Sequence, residues 1–317
     1  MPANWMRRSF VAAACTAAAL LAACGSSSTE SALRPERLIA FGDGFVDVGQ
    51  KGARYTVNDG SVNTWALQIA AHYGASLQPA AAGGFGYAQG NARVSASPDA
   101  AGDPATPTVT QQIDQFLTSQ GFAPGDLVVV SAGVSDIIAG MAALRSGAQT
   151  EEQFIASSRQ AGEQLAAQVH RLVQAGAGHV VLTGTYDLGR SPWAKAIDAR
   201  DVLSRASMAF NQGLLVNVED LGKSVLYIDT AYYVNVFEGS PSAYGFNEAN
   251  TPVCTSVDPG PGIGIGAGEV NSALCNTGTL LPGANADLYV FADKVYLTPA
   301  AHRRLGDYAY DRLRQRW

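Results

Sequence analysis

Four short apolar runs, each closed by a turn and separated from the next by helical stretches, constrain this chain most. They are Leu38–Phe41 before Gly42-Asp43-Gly44, the Leu-Val-Val-Val within Asp126–Ser131, His179–Thr183 and Ser224–Ile228. Runs of this length, apolar throughout and not alternating, read as strands buried on both faces. Between and after them, Trp65–Tyr73 suits a helix ending at Gly74, and Glu151–Gln174 is a long amphipathic helix running into Ala175-Gly176-Ala177-Gly178. Arg200–Leu221 and Pro299–Arg314 read as further helices, the last with Thr298 as N-cap and Pro299 at its first position. Strands separated by helices predict an α/β fold: a three-layer α/β/α sandwich with a mostly parallel sheet. Ligands of such sheets bind beyond the carboxyl ends of the strands. Chemistry is therefore expected in the turns after Phe41 and Val130 and in the segment before Thr298.

With 317 residues, 47% hydrophobic and 15% charged, the chain has material for a full core, which excludes intrinsic disorder. A net charge of −6 argues against a nucleic-acid partner, which needs a basic face. The N-terminus reads as an address. Met1–Phe10 carries Arg7 and Arg8 and no acid, and Val11–Ala23 is apolar and small, so residues 1–23 are expected to be a secretory signal peptide. The run Leu21-Ala22-Ala23-Cys24-Gly25 resembles a bacterial lipobox, which implies lipidation of Cys24. Residues 24–36 then form a lipidated N-terminus with a flexible tether, and residues 37–317 one domain. The expected location is the bacterial cell envelope, periplasmic or surface-facing. Gly25 after the cysteine favours the outer membrane over the inner. Export leaves Cys254 and Cys275 in an oxidising compartment, either as a disulfide or as two buried thiols.

The turns carry ordered motifs. Phe41-Gly42-Asp43-Gly44-Phe45-Val46-Asp47-Val48-Gly49 resembles the first block of the GDSL, or SGNH, hydrolases, usually Phe-Gly-Asp-Ser-Leu-Ser-Asp-x-Gly. Gly84–Ala92 resembles the second block, Ala132–Asp136 stands where the family has Gly-x-Asn-Asp, and Phe291–Pro299 stands where it has Asp-x-x-His-Pro-Thr. Asp187-Leu188-Gly189, Phe210–Leu215 and Ser242–Phe246 resemble connecting segments, the last leading to the cysteine pair. The resemblance covers about residues 37 to 317 in order and implies the SGNH-hydrolase, flavodoxin-like architecture.

It also implies a chemistry. In the family a serine attacks an ester carbonyl, a histidine takes its proton and an aspartate orients the histidine. The serine amide, a glycine amide and an asparagine side chain bind the oxyanion. Here the serine position is Gly44, the histidine position Tyr296 and the asparagine position Ser135; only Gly90 and Asp293 match. Glycine has no nucleophile, and a phenol of ordinary pKa about 10 is a poor base at neutral pH. The expectation is a catalytically inactive pseudo-hydrolase with no intact catalytic set. Asp43, Gly44, Gly90, Ser135, Asp293 and Tyr296 would line a site for a small-molecule ligand: an acyl, acetylated-glycan or carboxylate compound. The alternative is an ester hydrolase of the esterase/lipase type with a rearranged apparatus. His302, one turn into the last helix, is read as packing rather than rescue. No cofactor and no metal is expected, and the sequence identifies no protein partner. Gly260–Gly268, which alternates glycine with Pro261, Ile263, Ile265 and Ala267, reads as a surface loop between the two cysteines.

Overall fold

The computed structural model describes residues 31–317. The expected signal peptide over residues 1–23 and the expected lipidation of Cys24 lie outside the described residues. Residues Leu33–Trp317 form one compact unit.

Four parallel strands form the sheet in chain order: β1 (Leu38–Gly42), β2 (Leu127–Ser131), β3 (His179–Thr183) and β4 (Val225–Tyr227). Leu38 pairs with Leu127 and Leu127 with His179, so the carboxyl ends of β1, β2 and β3 lie level at Gly42, Ser131 and Thr183. Every residue of β1 and β2 is buried, as strands covered by helices on both faces must be. Residues 85–88 extend the β1 edge: the Ala40 amide donates to the Phe85 carbonyl, and the Tyr87 amide donates to that of Ala40.

The crossovers build the layers. Helices α1 (Trp65–His72) and α2 (Val109–Ser119) join β1 to β2, and α3 (Val134–Arg145) and α4 (Glu151–Gln174) join β2 to β3. Helices α5 (Pro192–Ala196) and α6 (Arg200–Val216) precede β4, and α7 (Thr230–Gly239) and α8 (Pro299–Arg316) follow it. Helices α2, α4 and α6 pack side by side with α3 against them, while α8 packs on α1 and α7, which makes the outer layers of the sandwich.

The strands and the helices α1, α4 and α8 stand where the sequence pattern puts them. Four helices escape it. α5 is a five-residue helix opened by Pro192 and capped by Ser191. α2 has a Thr/Val-rich start, yet Thr108 and Gln111 form a reciprocal capping box. α3 has Gly133 at its N-cap and no local side-chain cap. α7 is rich in β-branched and aromatic residues and is capped by Asp229. The helix expected over Arg200–Leu221 ends at Val216, where the Asn217 side chain donates to the Gly213 carbonyl; a separate single turn covers Glu219–Leu221.

Candidate active site

The turn after β1 is built on glycine. Gly42 has φ +148, and a Cβ there would lie 1.8 Å from the Ser131 carbonyl oxygen. Its amide donates to Gln112 Oε1 at 2.8 Å and its carbonyl accepts from Gln112 Nε2 at 2.9 Å, which locks the elbow to α2. Asp43 then turns inward. Its Oδ1 accepts from the Phe45 amide at 3.0 Å and its Oδ2 from the Val134 amide at 3.1 Å, so it caps α3 from the turn after the neighbouring strand. Burial pushes the Asp43 carboxyl up to about 7, with the nearby Asp136 charge adding to the rise and the amide bonds opposing it.

Gly44 follows at the position of the expected nucleophile, and it faces Tyr296. A Cβ built on Gly44 would lie 2.8 Å from Tyr296 Oη and 2.9 Å from its Cζ. The phenol thus occupies the volume into which a side chain at 44 would project. Tyr296 is fully buried, and burial, reinforced by the Asp43 charge, raises its pKa well above the ordinary phenol value. It stays a protonated hydroxyl at any physiological pH and cannot serve as a base. Ser135, in the first turn of α3, is close enough to interact with Tyr296, yet neither hydroxyl completes a hydrogen bond of normal geometry.

Gly90, the second-block glycine, is covered. A Cβ there would lie 1.9 Å from the Tyr55 ring, whose centroid is 5.0 Å from that of Tyr296. The expectation that Gly90 offers its amide to a ligand meets a competitor in place: that N–H donates to Asp47 Oδ2 at 2.8 Å. The Gly44 amide, by contrast, makes no hydrogen bond among the described residues. Tyr55 is held over the site by its neighbour Thr56, whose hydroxyl donates to the Leu297 carbonyl at 2.8 Å. No sequence motif marks Tyr55, because its effect comes from a ring laid over a distant glycine.

Asp293 is fully buried in the loop before α8. Its Oδ1 accepts from the Val295 and Tyr296 amides at 2.7 Å each, and its Oδ2 from the Ser272 amide at 3.0 Å. Desolvation raises its pKa above the ordinary value, against those bonds. The carboxylate therefore organises its own turn, and no histidine hydrogen-bonds to it. His302 is fully buried on α8, where its Nδ1 accepts from the Trp65 amide at 3.4 Å and its ring packs 5.4 Å from that of Phe45. Burial lowers its pKa to about 3, so it is a neutral packing element. His72 and His170 lie on α1 and α4, and His179 opens β3.

The structure thus gathers Asp43, Gly44, Gly90, Ser135, Asp293 and Tyr296 at one end of the sheet, all buried. Among the described residues no cluster of His, Cys, Asp or Glu has the composition of a metal site. Cys254 and Cys275 form a disulfide, which resolves the two readings of that pair. It closes the segment that carries Ser272, the backbone partner of Asp293.

The four-stranded parallel sheet with helices on both faces and the buried glycine turn at its carboxyl end define the class of scaffold as α/β, and comparison with known proteins identifies the family. The profile of the GDSL-like Lipase/Acylhydrolase family matches residues 38–309, and the chain belongs to that family. It is 30% identical over 164 residues to a GDSL esterase/lipase of Arabidopsis thaliana, covering 46% of this chain and 40% of that protein. It is 29% identical over 197 residues to the anther-specific proline-rich protein APG of the same plant, covering 59% of this chain and 34% of that one. The chain thus spans less than half the length of these curated relatives. Similar solved structures include the aryl esterase of M. smegmatis, with TM-score 0.46, 12% identity and coverage of 89% and 100% of the two chains. A carbohydrate acetylesterase from Sinorhizobium meliloti has TM-score 0.47, 12% identity and the same coverages.

Proposed function

We propose that this protein is a catalytically silent member of its family, exported and lipid-anchored through Cys24, that binds an acyl, acetylated-glycan or carboxylate compound without cleaving it. The observation that carries the silence is the Tyr296 hydroxyl standing 2.8 Å from where a Cβ of residue 44 would be. In a working site that volume holds the attacking hydroxyl and the base opposite it. Here one glycine and one neutral phenol share it, and Asp293 spends both oxygens on backbone amides. Loss of nucleophile or base in a comparable hydrolase lowers turnover by about a million-fold, and joint losses add little because the residues act as a unit. The N-terminal Arg7, Arg8, apolar run and Leu21–Cys24 motif support export and anchoring in the envelope, with the outer membrane favoured. The acidic net charge supports a partner other than nucleic acid.

A second reading, an ester hydrolase with a rearranged apparatus, draws on Ser135 Oγ and Tyr296 Oη. Both are buried, both lack a hydrogen-bond partner, and the Asp43 carboxyl, which titrates near 7, lies beside Tyr296. Assay with short p-nitrophenyl esters and labelling with a fluorophosphonate separate the readings. The wild type is expected to show no turnover above that of its Asp293→Asn variant. The Gly44→Ser/Tyr296→His protein, with Ser135→Asn added, is expected to gain turnover and take the label. Wild-type turnover that disappears on Ser135→Ala or Asp293→Asn establishes the second reading instead.

A further inference from the structure

The glycine-rich loop between the disulfide cysteines does not touch the elbow chemistry, but it is a built element. Asp258 and Glu269 close its base: the Asp258 amide donates to the Glu269 carbonyl at 2.9 Å, and the Gly268 amide donates to the Asp258 carbonyl at 2.8 Å. Asn91 Nδ2 holds the Gly262 carbonyl at 3.0 Å. Gly264, at φ +87, lies so close to the Ala100 carbonyl that a Cβ would be 2.3 Å from it. The two isoleucines divide the work. Ile263 is buried in the core, while Ile265, half-buried, forms a wall of a cavity of about 460 Å³ between this loop, α3 and α5. That volume lies within the range of ordinary small-molecule sites, about 300–1,000 Å³.

The rest of the lining sets the ligand chemistry. Ile138, Met141 and Ile197 give part of the wall apolar side chains, beside the polar Arg145 and Glu269. Glu269 lines it too, but its charge is matched by Lys294 Nζ at 2.6 Å. Two donors remain uncommitted. Trp193, another lining residue, is 3% exposed, and its indole Nε1 is buried without a hydrogen-bond partner. A buried donor left unpaired is costly and marks a place where a partner is expected. Arg145, at the end of α3, also lines the cavity and makes no ion pair or hydrogen bond among the described residues. None of the family positions Gly44, Gly90, Ser135, Asp293 or Tyr296 lines it.

We propose that this cavity binds a medium-chain aliphatic monocarboxylate. Its chain lies along Ile138, Met141 and Ile265, and its carboxylate accepts from the Trp193 indole N–H with the Arg145 guanidinium beside it. The proposal takes the binding half of the functional reading above and gives it a place and a ligand class. It stands apart from the question of turnover at the elbow.

The test titrates the full chain with sodium decanoate, kept below micelle formation, and with 1-decanol, which has the same tail and no charge. Heat of binding and the ¹⁵N–¹H signal of the Trp193 indole, assigned by its absence in Trp193→Phe, are read together. Decanoate is expected to saturate and to move that signal, and decanol to bind at least ten-fold more weakly. Trp193→Phe keeps an aromatic side chain, though a smaller one, and removes the donor, and should weaken decanoate about ten-fold or more, the range for a hydrogen bond to a charged group. Arg145→Gln should weaken it several-fold, more so at low salt. Absence of saturation, equal binding of decanol and decanoate, or an indole signal that does not move overturns the proposal. If Trp193→Phe does not fold, the decanol comparison and Arg145→Gln decide the matter. Ester turnover followed on the same preparations reports on catalytic silence separately, so failure of one reading is not mistaken for failure of the other.

Discussion

The elbow after β1 and the cavity beside the glycine loop are both shaped by glycine, with opposite results. At the elbow, Gly44 and Gly90 leave space that Tyr296 and Tyr55 fill. At the loop, Gly264 draws backbone against backbone at Ala100, and the cavity beside it stays open. The polar groups divide in the same way. The elbow's carboxylates, Asp43, Asp47 and Asp293, are taken up by backbone amides, whereas the cavity keeps an unpaired indole donor. A glycine in a motif is thus no guide to whether a site is accessible; what matters is which side chain lies over it.

The largest effect that would test this contrast is on the elbow's buried charge. The Asp43 carboxyl titrates near 7 when folded, against an ordinary value of 3.8. Because the folded pKa is the higher one, its contribution to stability is full below about pH 4 and is lost as pH rises through 7. That loss is at most on the order of 4 kcal/mol. Asp136, pushed up to about 6 chiefly by burial, acts in the same direction. His302, which burial holds at about 3 against an ordinary 6.5, acts in the opposite direction below pH 6.5, so the Asp43 contribution is read as the difference in unfolding free energy between the wild type and Asp43→Asn, measured by denaturant titration. Relative to that variant the wild type should lose stability from pH 4 to pH 8; a difference that does not fall over this window contradicts the assignment.

Next is the disulfide. Replacing both Cys254 and Cys275 by alanine should cost about 3 kcal/mol in the chain-entropy account of a loop of this length. Decanoate affinity should fall with it, because the glycine loop is tethered between those residues. Unchanged binding would separate the cavity from the tether.

A smaller effect sharpens the packing claim. Gly44→Ser alone drives a side chain into the Tyr296 ring and should destabilise by about 1–3 kcal/mol, the usual range for overpacking. Tyr296→His in the same chain should remove most of that penalty, a non-additivity that a double-mutant cycle in chemical denaturation reads directly. Additive losses would mean that the two residues do not share the space. Smallest of all, Arg145→Gln should leave unfolding free energy within about 0.5 kcal/mol, as an exposed substitution does, and be visible only in ligand binding.

Much of this was legible in the chain. Strands such as Leu127–Ser131 announce themselves because burial on both faces demands continuous apolar residues, and the elbow because its turn demands glycine at 42. The changed letters at 44, 135 and 296 also stand in the sequence in order. What was not legible depends on contacts between distant segments. α3 has no cap of its own because Asp43, 91 residues earlier, supplies the acceptor. Tyr55 covers Gly90 from outside any motif, and Trp193 becomes notable only once its indole is seen to be buried and unpaired. The capping box of α2, Thr108 with Gln111, is a local signal and was there to be read.

The seating of the Tyr296 ring against Gly44 ties the two positions to one shared volume. A bulkier residue at 44 fits best beside a smaller one at 296, so a chain of this fold is expected to change the two letters together: each sets the size its counterpart can take.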